Sequence, residues 1–446
     1  MTIFIPEPHL LSSPRGRDWP FPPGACVAAR AGDPPARTDV VIVGAGLAGL
    51  AVASALWHVG VRDVVLLDRD GRPAGRFFDR VDVLGQRVMR SPYEHHPGLE
   101  AYRDCELLDF VRLHWSLLTP VERREVRMAQ ASHRSVVPVD AFEAFCRHVA
   151  TIHHVYDRTW QAEVRAVRPD AGGIVVGTDR SAVAARFAVL CLGEERLAAP
   201  RRWWRGPRRP HGVCYWDEPL PNAGGPLVVV GAGLSAAHLI SNGLAANRPV
   251  HWVVRGSERY QCADVNSKFF RAEGRARFDG VPWADRMAHM QRERRASVMY
   301  EFRPLLTEAE ADGRLTVYRG RAVTGVTGKP GGGPATVVLD GGTRVEGDQV
   351  VLALGTAVST GVEVLPAALV AAREGWPDLD ERTLNYRNAP EVFAVGAAAG
   401  MVLGPAARNI DGHRVATARV ATTIAARLAG RPDPVLDRAG AEVSLV

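Results

Sequence analysis

Lysine is almost absent from the chain. Of 55 basic residues only Lys268 and Lys329 are lysines, and arginine supplies the rest. The net charge of +6 is dispersed, with acidic residues between the basic ones, and the tightest basic cluster, residues 201–209, is short. A charge excess without a patterned face argues against nucleic-acid binding, so no nucleic-acid partner is expected. Cysteine is also scarce. Cys26, Cys105, Cys146, Cys191, Cys214 and Cys262 form no C-x-x-C pair and show no zinc spacing. That argues against dithiol chemistry and against a metal site, and the scatter fits reduced thiols in a cytoplasmic protein. No secretory signal is expected, because Pro6, Pro8 and Pro14 interrupt the start before a long apolar run can form.

A membrane span is missing as well, despite one imitation. Residues 40–61 carry no Asp, Glu, Lys or Arg. Yet Gly44, Gly46 and Gly49 fall where a β-branched run stops and an Ala/Leu run begins. A buried strand, a tight turn and a buried helix account for the stretch better than a span does, since a parallel strand and its crossover helix are both covered by protein. Hydrophobic residues at 46% are enough for a sizeable core, and 446 residues suit two lobes sharing an interface.

Residues 1–36 hold eight of the 31 prolines and read as an irregular extension draped over the body. A strand is expected over 39–43, a helix over 47–58 and a second strand over 64–67 ending at Asp68, which makes a βαβ unit. A more polar section with helical segments runs to about 155, and a mixed strand region ends over 187–193. Residues 201–222, rich in Pro, Arg and Trp, read as a linker. The same grammar then restarts, with a strand over 227–230, a helix over 234–247 and a strand over 250–254. A later strand is expected over 348–355, and a long helix over 408–428 closes the chain.

The first turn reads Gly44-Ala45-Gly46-Leu47-Ala48-Gly49. Gly44 permits the tight turn, Gly46 lets backbone approach a pyrophosphate, and Gly49 lets the helix pack on its strand. The helix N-terminus then offers unpaired N–H groups and a positive dipole end to the phosphates. Asp68 is placed to accept hydrogen bonds from ribose hydroxyls, with Arg69 and Arg76 as further cofactor contacts. The second turn reads Gly231-Ala232-Gly233-Leu234-Ser235-Ala236, and Arg255, followed by Ser257, stands where the first unit has Asp68. A carboxylate there would repel a ribose 2′-phosphate, whereas a guanidinium pairs with it. The first unit should therefore hold an adenosine with a free ribose diol, and the second one phosphorylated at the 2′ position. The alternative for Arg255 is an ordinary solvated arginine.

Two such units about 190 residues apart resemble the layout of the two-dinucleotide-binding-domain flavoproteins, from about residue 37 to the end. The resemblance implies an α/β fold with two Rossmann-like domains, the NADPH domain inserted in a discontinuous FAD domain. The expected division is 1–36 extension, 37–205 first part of the FAD domain, 206–345 NADPH domain with linker, and 346–446 second part of the FAD domain. Residues 188–193 and 348–356 resemble the two crossing strands, ending at Gly193 and Gly355. Residues 391–396 resemble the last FAD-domain strand, which brings Gly396 against the flavin. The chain departs at Ala397, where an Asp commonly contacts the FAD ribityl chain. A helix beginning near Asn409 and Ile410 would aim its amides at the flavin pyrimidine edge.

The missing cysteine pair sets the disulfide reductase branch aside. Ser235-Ala236 together with Arg255 resembles the class B flavin monooxygenases and the N-hydroxylating ornithine/lysine-type enzymes. In that group NADPH reduces FAD, the reduced flavin activates oxygen, and NADP stays bound. A linker signature of related subgroups, F-x-G-x-x-x-H-x-x-x-[WY], has only a stretched counterpart in Trp204, Gly206, His211 and Trp216, so His211 is as readily an ordinary linker histidine. Residues 71–77 and 86–96 occupy the stretch that lines the flavin face in the N-hydroxylases, which makes Gln86, Ser91 and His95 the catalytic candidates. The expectation is an NADPH-dependent FAD monooxygenase that hydroxylates an amine nitrogen of a small molecule in a biosynthetic pathway. The alternative is an FAD reductase without oxygen insertion. No metal and no membrane partner are expected, and a homo-oligomer is open.

Overall fold

The computed structural model describes residues 8–20, 29–99, 102–220, 224–328, 333–370, 373 and 375–434. Arg37–Val43 is apolar over its last four positions and buried at each of those four, as a strand covered on both faces requires. It sits inside a sheet ordered Asn385–Tyr386, Ala389–Ala394, Ala182–Leu190, Arg37–Val43, Val64–Asp68, Thr159–Gln161. Val41 pairs in parallel with Val65 on one side and Ala188 on the other. An antiparallel meander, Val164–Asp170 and Gly173–Thr178, leads into Ala182–Leu190. The helices Leu47–His58 and Ile410–Leu428 pack together against this sheet.

The second sheet is parallel throughout and ordered Val213–Tyr215, Gln349–Leu352, Leu227–Val230, Val250–Val254, Leu315–Arg319. Leu227–Val230 is buried at every position. Its own core carries Leu239, Ile240, Trp252 and Phe302. A three-stranded antiparallel sheet, Val323–Gly328, Ala335–Leu339 and Arg344–Gly347, lies beside it. The chain crosses out of the first domain along Glu194–Arg196 and back along Thr356–Val358, and these two strands pair antiparallel. The fold is α/β, with two parallel-sheet dinucleotide-binding folds and the second inserted in the first.

Two expectations need correction. Residues 201–222 are not only a linker, because Val213–Tyr215 forms the edge strand of the second sheet. The boundary at 345/346 falls too early. Gln349–Leu352 lies between Val213–Tyr215 and Leu227–Val230 in the second sheet, so the return crossing follows it at Gly355. The membership of an apolar four-residue strand is set by its neighbours and leaves no mark in its own composition.

Within the extension, the described residues are tied down at definite points. Leu10 is buried in the second core. Arg17 forks onto two carboxylates, Nη1 to Glu122 Oε2 at 2.6 Å and Nε to Asp140 Oδ2 at 2.7 Å, and also donates to the Leu117 carbonyl at 3.0 Å. Trp19 adds its indole N–H to Asp140 at 3.1 Å. No helix among the described residues is long and apolar enough to cross a membrane.

Candidate functional site

The three glycines of the first turn have three different physical reasons to be glycine. Gly44 has φ +96°, and a Cβ on it would stand 2.5 Å from the Cys191 carbonyl oxygen. On Gly49 a Cβ would meet the Gly44 carbonyl oxygen at 2.0 Å. Gly46 differs, since its backbone is open to any residue (φ −62°, ψ −171°) and a Cβ there would meet nothing within 4 Å. Nothing in the protein demands glycine at 46. Space kept clear at a helix N-terminus with no side-chain cap is what a pyrophosphate needs.

The second turn repeats the pattern. On Gly231, at φ +142°, a Cβ would stand 2.1 Å from the Ala353 carbonyl oxygen, whereas Gly233 has nothing within 4 Å and again starts a helix without a side-chain cap. The third small residue, Ala236, is fully buried. Leu234 and Ser235 are half-buried in the first turn of that helix. The residues present therefore fit two dinucleotide phosphate groups, one per domain.

Around the first turn lies a cleft of about 390 Å³ whose lining includes Gly46, Asp68, Arg69, Arg76 and Gly193. Asp68 is already oriented. Its Oδ2 accepts from the Ala45 amide at 2.8 Å and its Oδ1 from the Asp70 and Gly71 amides at 2.9 and 3.0 Å. Arg69 is exposed, and Arg76 donates to Glu195 Oε1 at 2.7 Å and also pairs with Oε2. Gly193 (φ +68°) and Gly355 (φ +90°) stand at the two crossings with open space where a side chain would be.

At the end of Val250–Val254 the arginines divide into engaged and free ones. Arg319 is held by Glu258 and Glu310, and Arg321 by Asp340 and Thr343. Arg255 and Arg259 are exposed, and their side chains have no hydrogen bond or ion pair among the described residues. Ser257 is exposed beside them.

Between the domains, segments far apart in sequence converge on one carboxylate. Asp264 Oδ1 accepts from Arg90 Nη1 at 2.8 Å, while its Oδ2 faces Arg294 Nη2 at 3.5 Å and accepts from Asn409 Nδ2 at 3.4 Å. Arg294 also donates to Asn409 Oδ1 at 2.5 Å and to the Pro405 carbonyl at 3.4 Å. Burial raises the Asp264 pKa, but the two guanidiniums overcome it and hold the carboxyl below its ordinary value. Next to this node Glu194 pairs with Arg408 and accepts from Thr356 at 2.7 Å, and Arg408 donates to Thr356 at 2.9 Å. That set joins the two crossing strands to the loop before the last helix.

The catalytic candidates have separate fates. Gln86 is buried with its side-chain amide donating to the Val88 carbonyl at 2.8 Å, so this side chain is tied to backbone, while the Gln86 backbone carbonyl accepts from Arg15 Nη1 at 2.9 Å. Ser91 is half-buried beside Arg90. His95 is buried, which pushes its pKa down to about 4; Asp411 raises it, and Arg414 and His96 lower it further. Asp411 lies in the first turn of Ile410–Leu428, so His95 is placed at the helix end where Asn409 and Ile410 are expected to meet the flavin. Gly396, at φ +87°, faces the His413 ring, which burial pushes down to about 4. Ala397 is buried and its side chain has no polar atom to offer. His211 is exposed in the turn before Val213–Tyr215.

Sequence reasoning missed Asp264, Arg294, Glu194, Arg408 and His413. Arg90 lay within the quoted stretch but was not singled out. Its partners in the second domain lie up to 207 residues away, and no spacing rule reaches that far.

Residues 37–193 match the FAD binding domain family. No curated protein matches the chain at a significant level. Among solved structures, ornithine hydroxylase from Pseudomonas aeruginosa in its reduced form is similar at 15% identity and TM-score 0.70, over 88% of this chain and 99% of that one. The FAD-bound cadaverine monooxygenase of desferrioxamine biosynthesis from Erwinia amylovora is similar at 15% identity and TM-score 0.66, over 92% and 97%. Bacillithiol disulfide reductase from Bacillus cereus is similar at 16% identity and TM-score 0.57, over 88% and 99%. At these identities the likeness is one of fold, which hosts both hydroxylases and reductases.

Proposed function

We propose that the protein is an NADPH-dependent FAD monooxygenase that hydroxylates the nitrogen of a small amine. The premise is the FAD-binding domain of residues 37–193. The observation that carries the step to a second nucleotide is the repeated open glycine, Gly46 in one domain and Gly233 in the other. FAD, when bound, supplies the redox and oxygen chemistry.

The chain supplies binding, orientation and exclusion of water. Gly46, Leu47 and Gly49 would take the FAD pyrophosphate on backbone amides at the turn that Gly44 permits, the Gly44 amide itself being bonded to the Leu67 carbonyl, and the pre-oriented Asp68 carboxylate would take the ribose hydroxyls. Arg69 and Arg76 border the same cleft. Gly233, Leu234 and Ser235 would do the same for the nicotinamide nucleotide at the turn that Gly231 permits, with Arg255 on the 2′-phosphate and Ser257 beside it. Gly193, Gly355 and Gly396 give close backbone approach. Asn409 and Ile410 present a positive helix end to the flavin pyrimidine edge, where negative charge develops on reduction. His95, neutral at physiological pH, can accept or donate one hydrogen bond there without introducing charge. Ser91 is the remaining candidate for substrate contact. Gln86 acts through its backbone-bound side chain as a positioning residue for residues 86–90.

The nucleotide preference tests the two-cofactor reading. With FAD loaded, flavin reduction under anaerobic conditions should be faster with NADPH than with NADH at equal sub-saturating concentration. Arg255→Ala should lower that preference by about 10- to 150-fold, since a charge-assisted phosphate contact contributes about 1.5–3 kcal/mol. Wild-type discrimination in both Arg255→Ala and Arg259→Ala would remove the basis for NADPH at this site.

A further inference from the structure

Away from both nucleotide turns, three side chains converge from three segments of the first domain. His58 ends the helix Leu47–His58, Cys105 ends the turn Arg103–Cys105, and His153 caps the helix Val139–Ile152. Their ligating atoms all lie within 4.8 Å of one another. His58 Nε2 is 3.0 Å from His153 Nε2, and Cys105 Sγ is 3.4 Å from the first and 3.6 Å from the second. Cys105 and His153 are buried. The Tyr102 ring covers His58 at 4.3 Å between centroids.

From this geometry we infer that His58, Cys105 and His153 form a binding site for one zinc ion. A tetrahedral zinc with N ligands at about 2.0–2.1 Å and a thiolate at about 2.3 Å sets N···N near ~3.3 Å and N···S near ~3.5 Å. The three observed separations lie close to those values, so one ion fits with small side-chain movements.

The orientation of His153 gives independent support. Its Nδ1 lies 2.8 Å from the Val149 carbonyl oxygen and donates to it, which directs the Nε2 lone pair into the cluster. A backbone carbonyl that fixes the tautomer in this way is the usual outer partner of a zinc-bound imidazole. Ser54 Oγ lies 3.5 Å from His153 Nε2, a further polar atom beside the cluster. Binding requires the Cys105 thiolate, so one proton leaves per ion bound. The site lies at the far end of the helix whose first turn faces the pyrophosphate, about 17 Å away at ~1.5 Å per residue. Its role is to tie the end of that helix to the turn at Cys105 and to the helix end at His153, independently of the redox chemistry. The separations of 47 and 48 residues from Cys105 to its partners explain why ligand spacing in the sequence gave no sign of it.

Cobalt(II), which takes the same geometry as zinc and reports it in colour, provides the test. Chelator-treated full-length protein is titrated with cobalt chloride, then with zinc. The expected result is saturation at one equivalent, with ligand-field bands to the red of any flavin absorption, a near-ultraviolet thiolate charge-transfer band, and displacement of both by zinc. Cys105→Ser should abolish the charge-transfer band. His58→Gln, at a half-buried helix end, should weaken cobalt binding by more than ~100-fold, because even outer-shell partners are worth about 10–100-fold. Zinc should raise the Tm of the wild type and not of His58→Gln. A wild-type protein that gives no cobalt bands overturns the inference, and so do bands and a zinc-induced Tm shift that persist unchanged in both variants.

Discussion

Gly46→Val separates ligand space from folding space more sharply than any other single change. A Cβ at residue 46 would meet no protein atom within 4 Å, and the backbone at φ −62° accepts valine. Loss of glycine at a helix N-cap and gain from a stiffer unfolded chain nearly offset each other, so the apoprotein should stay within about 1 kcal/mol of wild type. FAD affinity should behave otherwise. Each charge-assisted amide–phosphate hydrogen bond is worth about 1.5–3 kcal/mol, or about 10- to 150-fold, and valine both displaces the phosphate and shields the amides. FAD should bind at least ~100-fold more weakly. The roughly 2.7 kcal/mol of stabilisation that FAD gives the wild type at 100 times its Kd should largely vanish. Gly49→Ala is the opposite control, because its Cβ would stand 2.0 Å from the Gly44 carbonyl oxygen and should prevent folding of the domain. Fluorescence-quenching titration gives the affinity, and urea unfolding with and without FAD gives the stabilities. A soluble Gly46→Val protein with wild-type FAD affinity would refute the assignment of that space to the pyrophosphate.

Other expectations follow from buried charge. Arg17→Met leaves the Glu122 and Asp140 carboxylates without their shared guanidinium, and urea unfolding should show a loss of about 3–5 kcal/mol; a change below about 1 kcal/mol would mean that solvent reaches both carboxylates. His238 is buried edge-on to Phe302, and burial pushes its pKa down to about 3. The unfolded imidazole takes a proton near 6.5 and the native one does not, so this contribution is present above pH 6.5 and lost as pH falls toward 3. Between pH 6.5 and 4.5, His238→Leu should lose roughly 2 kcal/mol less stability than wild type, and parallel pH profiles would contradict it.

The elements that an alternating or continuous apolar pattern defines were legible in the sequence. Residues 47–58, 227–230 and 250–254 match the observed elements, because the β-branched runs and the glycine turns are local signals. The two glycine turns themselves were legible for the same reason. The node at Asp264 was not, because Arg90, Arg294 and Asn409 come from different segments on both sides of the domain crossing. Nor was the membership of Val213–Tyr215 and Gln349–Leu352 in the second sheet, which depends on pairing between distant strands. The anchoring of Arg17 was hidden as well, since an arginine in a proline-rich stretch reads as solvated until Glu122 and Asp140 are seen to face it.

The most direct test of the amine hydroxylase reading is a mass balance on oxygen. FAD-loaded protein is supplied with NADPH and a panel of small primary amines, and NADPH consumed, oxygen consumed, peroxide released and hydroxylamine formed are counted together. At least one amine should give hydroxylamine in step with NADPH and oxygen, with peroxide falling by the same amount. Peroxide equal to the NADPH consumed for every amine, or NADPH oxidation that needs another acceptor in place of oxygen, would contradict the account and make the protein a flavin reductase.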